Sequence, residues 1–209
     1  MSQHLEHLET LKEIRSIMDR SSRFMSLSGL VGIFAGVYAF AGAGAVKWYL
    51  EKHNILARTV YTVRPNWDTI LFLSAVAVTV MAATIITGIY LTTRKARKAN
   101  QSLWDKQAQL MLINLFIPLA AGGFFCLVLL YHKVYFLIAP CMLIFYGLAL
   151  LNGSKYTVRD IHYLGLLEIA LGLLASFFIG YGLLAWTIGF GVLHILYGSI
   201  MYFKYERGA

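Results

Sequence analysis

The sequence predicts an all-α membrane protein of six transmembrane helices, and three observations lead there. Six strongly apolar runs follow one another, each near the roughly 20 residues that a helix needs to cross a bilayer. Hydrophobic residues make up 59% of the 209 and charged residues 13%, with a mean hydropathy of +0.67, more apolar helix than a water-soluble core of this size buries. The runs are apolar all round and lack the apolar-polar alternation of a membrane β-strand, which excludes a β-barrel.

The spans run in order from about Leu27 to Leu50, Thr69 to Thr92, Leu110 to Tyr131, Val134 to Leu151, Ile161 to Ile179 and Leu183 to Phe203. The connectors Tyr131 to Val134 and Gly180 to Gly182 are short enough to make the third and fourth helices, and the fifth and sixth, antiparallel neighbours. Ala41-Gly-Ala43-Gly-Ala45 resembles a signal-peptidase site, but the segment before it is long and carries Glu6, Glu9, Glu13 and Asp19, so the first span is expected to be retained. Of the 18 Lys and Arg, only Lys47, Lys52, Arg58, Arg64 and Lys133 fall on one side. The positive-inside rule then gives three in-out-in hairpins with both termini cytoplasmic.

Residues 1–23 read as a cytoplasmic amphipathic helix and 24–209 as the six-helix transmembrane domain. In the arm, Leu8, Leu11, Ile14, Ile17 and Met18 recur at three- and four-residue steps. Such a helix lies on headgroups, packs under the bundle, pairs with a second protomer or docks a cytoplasmic protein partner. The net charge of +8 is a topology signal plus attraction to anionic headgroups of the lipid bilayer, and it calls for no nucleic acid. Its densest cluster, Arg94, Lys95, Arg97 and Lys98, is expected to face lipid.

Small residues recur on two spans. Ser28, Gly32 and Gly36 form one stripe, and Gly165 with Gly172 another, a pattern that packs helix backbones closely within a monomer or a homo-oligomer. The segments from Gly29 to Ala39 and from Gly165 to Ala175 also match each other at both outer glycines, at Leu, at Ile and at the final Ala. Thr87-Gly88, Tyr146-Gly147 and Tyr197-Gly198 end the even spans alike, so the hairpins read as a parallel repeat. In that alignment Glu168 occupies the position of Gly32.

Glu168 is the residue to single out, because a carboxyl well inside a span costs a few kcal/mol unless it finds a partner or water. Counted at 1.5 Å per residue, Glu168 lies about 12 Å from Asp160, where Thr157 suggests a capping box, and His194 lies about 15 Å from Lys204 at the same face. The two are nearly symmetric about the turn at Tyr181, so the expectation is a Glu168–His194 hydrogen bond or ion pair. Such a pair serves as interhelical glue, exchanges a proton, or binds a cationic substrate. Asn114, one turn before Pro118, marks a kink with a free carbonyl. Tyr146, Tyr197 and Asn152 are candidates to extend the polar lining.

No two histidines share a buried level, and Glu168 with His194 lacks a third ligand, so neither haem nor metal is expected and no cofactor follows from the sequence. Cys126 and Cys141 are placed face to face across the Tyr131 turn as small apolar filler. Tyr61, Trp67, Trp104, Tyr156 and Trp186 fit interfacial aromatic belts. No catalytic or nucleotide motif occurs in any connector.

The stretch from Glu13 to Gly29 and Gly191-Val-Leu-His-Ile-Leu-Tyr-Gly198 resemble uncharacterised six-span bacterial integral membrane proteins. The resemblance covers both ends of the chain and implies a bacterial inner-membrane location, with no activity or substrate attached. Two function classes fit the residues: a small transporter or proton-linked permease built on Glu168 and His194, and a non-catalytic sensor or assembly subunit that binds a cytoplasmic partner through residues 1–23.

Overall fold

The computed structural model describes residues 28–55, 65–98 and 104–207. The arm at residues 1–23 and the domain boundary after it lie outside them. All regular structure among the described residues is helical: α1 (Gly29–Lys52), α2 (Trp67–Lys98), α3 (Lys106–Tyr131), α4 (Ile138–Gly153), α5 (Asp160–Phe177), α6 (Gly182–Trp186) and α7 (His194–Tyr205). One 3₁₀ turn, Tyr135–Leu137, leads into α4 and another, Ser154–Tyr156, leaves it. A π-helical turn, Thr187–Leu193, joins α6 to α7, so Gly182–Tyr205 forms one sixth span. Six spans are long and apolar enough to cross a membrane, as in a multi-pass membrane protein.

Helix ends are closed by local chemistry. The Asp105 carboxylate accepts from Ala108 N–H at 2.7 Å at the start of α3, and Asn66 Oδ1 accepts from Thr69 N–H at 2.9 Å at the start of α2. Asn54 and Lys133, with φ of 52° and 64°, take the left-handed conformation after α1 and α3. There Ile55 N–H reaches Leu50 O and Val134 N–H reaches Leu129 O, both at 2.8 Å, which satisfies last-turn carbonyls. At the start of α5 Arg159 occupies the cap position and supplies no side-chain cap. α2 continues past Thr92 through the whole basic cluster, since nothing from Thr93 to Lys98 breaks a helix.

Close backbone contact organises the bundle. A Cβ on Gly29, Gly32, Gly36 or Gly198 would come within 3 Å of atoms across the interface between α1 and the sixth span, mostly backbone. Gly147, Gly165 and Gly172 do the same between α4 and α5. The two interfaces are equivalent in detail. Gly36 abuts Ile195 Cγ1, Ile195 N and the Gly191 carbonyl, while Gly172 abuts Ile144 Cγ1, Ile144 N and the Pro140 carbonyl. Gly29 likewise meets Gly198 O and Tyr202 N where Gly165 meets Gly147 O and Leu151 N. The α1/α5 repeat is therefore one of helix pairs, in which α1 with the sixth span corresponds to α5 with α4.

The third and fourth spans are neighbours, as their short connector predicts, and the fifth and sixth also meet, but the glycine-locked pairs join other spans. The fifth and sixth spans share a short turn yet touch lightly, whereas α4 packs extensively on α5, and α1 on α7. α2 lies against α1 and α3 against α4, both with broad apolar outer faces such as Val78, Ile85 and Ile86 on α2 and Phe116, Ile117 and Phe124 on α3. Ser28 is not a packing residue of the glycine stripe: its hydroxyl donates to Glu206 Oε2 at 3.0 Å. Glu206 Oε1 accepts from Gly29 N–H at 2.6 Å and from Lys95 Nζ at 3.3 Å. A carboxylate just past α7 thus caps α1 and holds α2, and Lys95 turns inward rather than to lipid.

Gly198→Ala is expected to lower stability in detergent by about 1–3 kcal/mol through overpacking, measured by thermal unfolding. Gly44→Ala, where no atom lies within 4 Å of the added carbon, is the matched control and should gain up to about 1 kcal/mol. Glu206→Ala removes the cap and the Lys95 partner together and should cost about 1–3 kcal/mol in the same assay.

Candidate functional site

Glu168 and His194 each lie near the middle of their span, and the fold joins them across the seam between the two glycine-locked pairs. Glu168 is 0% exposed and His194 6%. Glu168 Oε1 stands 3.5 Å from His194 Nδ1, a contact longer than a hydrogen bond. The imidazole spends its hydrogen-bonding capacity elsewhere: Nδ1 lies 2.9 Å from the Gly189 carbonyl and Nε2 2.7 Å from the Tyr146 hydroxyl. A carbonyl only accepts, so in the neutral ring Nδ1 carries the hydrogen and Nε2 accepts from Tyr146.

The π turn makes this arrangement. It winds Thr187–Leu193 at five residues per bond, and His194 closes a side-chain bond onto Gly189 O, five residues back. Gly189 is also where the acid fits: a Cβ there would lie 2.5 Å from Glu168 Oε2 and would overlap Leu143 Cδ2. Glu168 thus occupies the volume a side chain at 189 would need, and among the described residues neither of its oxygens has a hydrogen-bond partner. Leaving a buried polar group unsatisfied costs on the order of 1–3 kcal/mol, more for a charge.

Tyr146 is the addition to the expected pair, promoted from a general lining residue to a direct partner of His194. Its ring and that of His194 both pack on Phe190, with centroids 5.1 and 5.8 Å away. The other candidates lie apart. Asn114 Nδ2 donates to the Leu110 carbonyl at 2.8 Å on its own helix, and α3 continues through Pro118. Tyr197 packs against the apolar cluster of Leu150, Val158, Ile161, Leu164 and Met201. Asn152 Oδ1 accepts from Lys155 Nζ at 3.3 Å.

Phe190 in turn touches Trp186, at 5.4 Å between centroids. Trp186, with Gly42, Val46, Ser74, Met142 and Leu183, lines an apolar cavity of about 200 Å³. The aromatic run Trp186, Phe190, His194 leads from that cavity to the acid. The sequence contained no signal for the π turn or for the cavity, which depend on how the two pairs sit. Among the described residues no three His, Cys, Asp or Glu side chains come together as a metal site. Cys126 and Cys141 do face each other, with Sγ atoms 3.6 Å apart as free thiols.

Tyr146→Phe should leave Nε2 without its donor, cost about 1–3 kcal/mol in thermal stability, and shift the ¹⁵N resonance of His194 Nε2 toward that of an unbonded nitrogen. An unchanged resonance would sink the assignment of Tyr146 as donor. No family model, curated protein or solved structure matches this chain.

Proposed function

We propose that the protein is a small transporter, a permease whose polar site is Glu168 with His194 and Tyr146. One observation carries the reading: a mid-span carboxyl is buried with neither oxygen hydrogen-bonded among the described residues, while the histidine beside it is bonded at both nitrogens. Interhelical glue accounts for the histidine and not for the acid, because glue requires mutual satisfaction and Glu168 receives none. Buried ionisable groups in spans commonly mark ion or substrate paths.

The surrounding architecture supports the same reading. Each helix pair is locked internally by backbone contact, so the compliant surface is the seam between pairs, where the acid, the imidazole and the phenol meet. Relative motion of two rigid pairs opens such a site to one side at a time. In this reading the chain sits in a bacterial cytoplasmic membrane with its basic ends inside, and Arg94, Arg97 and Lys98 meet anionic headgroups.

The test places a cysteine at Leu143, which is buried beside Glu168, in a Cys126→Ser, Cys141→Ser background. In sealed vesicles a membrane-impermeant thiol reagent is expected to label it, with a rate that depends on pH and on the side of addition. If a Tyr131→Cys control at the end of α3 reacts while position 143 stays silent from both sides at every pH, the site is sealed and the transporter reading is lost.

A further inference from the structure

We infer that the ion taken by this site is a proton, passed between Tyr146 and Glu168 through the two nitrogens of His194. The inference rests on the transporter reading and narrows it from any cation to one. Space decides first. A single methyl carbon at Gly189 would collide with Leu143 and press on Glu168 Oε2, so on the side of the sixth span the carboxyl has no room for an added atom. A magnesium or calcium ion requires six or more oxygen ligands, and a zinc ion about four in all. Among the described residues no three His, Cys, Asp or Glu side chains meet at Glu168, and the histidine nitrogen beside it, His194 Nδ1, is already engaged by the Gly189 carbonyl. An organic cation is larger still, and the apolar cavity that would hold its body is divided from the acid by Phe190. A proton needs no added volume.

The hydrogen-bond geometry supplies its route. In the arrangement observed, Nε2 holds a lone pair aimed at Tyr146, and Nδ1, whose hydrogen is donated to the Gly189 carbonyl, lies 3.5 Å from Glu168 Oε1. A proton from solution, arriving by way of the Tyr146 hydroxyl, binds at Nε2 and makes the imidazolium. Its other hydrogen then leaves Nδ1 for the Glu168 carboxylate as that gap closes. The products are a neutral carboxylic acid and a neutral imidazole whose hydrogen is now on Nε2, donating to Tyr146 Oη, with the Gly189 carbonyl released. One proton enters the ring and one leaves it, so charge and atoms balance, and the reverse sequence discharges the acid.

Among the described residues, the titratable groups packed against Glu168 from other helices are His194 on α7 and Tyr146 on α4, and both belong to the relay. Asp160 and His162 lie one and a half turns or more away along α5, with Asp160 engaged by Lys204 and Tyr205. The repeat adds an independent sign of specialisation. By the equivalence of the two pairs, Glu168 corresponds to Gly32 and His194 to Leu143. Each pair therefore contributes one ionisable residue at a position where the other has an apolar one, and the two meet at the seam.

The experiment records the infrared carboxylic-acid band that disappears in Glu168→Gln, on purified full-length protein in liposomes, together with potential-driven proton entry read by an internal pH dye. The expected result is a band that titrates with pH and ignores added sodium, magnesium or tetramethylammonium at constant pH and ionic strength. Proton entry should fall about tenfold or more in Glu168→Gln, fall in Tyr146→Phe, and recover partly in Glu168→Asp, which separates loss of the acid from loss of the fold. A band displaced by a metal or ammonium ion at constant pH overturns the proton assignment and leaves the transporter reading standing. A band insensitive to pH, with position 143 unlabelled, removes both.

Discussion

Backbone-to-backbone contact at glycine is the constraint on which the other features depend. In lipid there is little hydrophobic gain in bringing two apolar helices together, so association rests on van der Waals packing, and packing is strongest where no side chain intervenes. Gly29, Gly36 and Gly198 on one interface and Gly147, Gly165 and Gly172 on the other bring peptide groups into direct contact. Interiors packed this way do not deform gradually. The bundle is accordingly two stiff pairs joined along a softer seam, with α2 and α3 as outer helices that present apolar side chains to the surroundings.

The seam is also where the chain places its costly groups. Glu168 projects from one pair and His194 from the other, so their separation depends on how the pairs sit relative to each other and on the π turn. In the π turn the Gly189 carbonyl, five residues before His194, accepts from the imidazole Nδ1–H, which orients the ring so that Nε2 meets Tyr146. At the basic end, Glu206 bonded to Ser28, Gly29 and Lys95, and Asp160 bonded to Lys204 and Tyr205, tie the helix termini together. Those ties hold one end of the bundle while the mid-span seam contains no comparable bond to Glu168.

Much of this was legible in residue order and some was not, and particular residues show why. Glu168 stood out because a carboxyl in an apolar run is anomalous on any transfer scale, and its depth could be counted from Asp160 at a fixed rise per residue. Equal depth from one membrane face then brought His194 to it. That Trp186 lines a cavity was not legible, because its place near a turn in the sequence is the same whether or not its ring faces one. Ser28 continued the four-residue spacing of Gly32 and Gly36 but sits at the helix start, where its hydroxyl finds Glu206. Lys95 looked like its three basic neighbours because linear charge density does not record which face of α2 meets α1.

The sequence by itself determined the solvent, the number of spans, their approximate limits and the depth of each polar residue, since hydropathy and helical rise are local properties that partners do not alter. It also carried the glycines and the echo between α1 and α5. Only the tertiary structure decided which helices those glycines join: α1 to the sixth span and α4 to α5. It alone decided that Tyr146, and not Tyr197 or Asn114, bonds His194. The physical reason is that a side chain's hydrogen-bond partner depends on rotation about the helix axis and on lateral packing, and in a helix apolar on every face the pattern of residues leaves both undetermined.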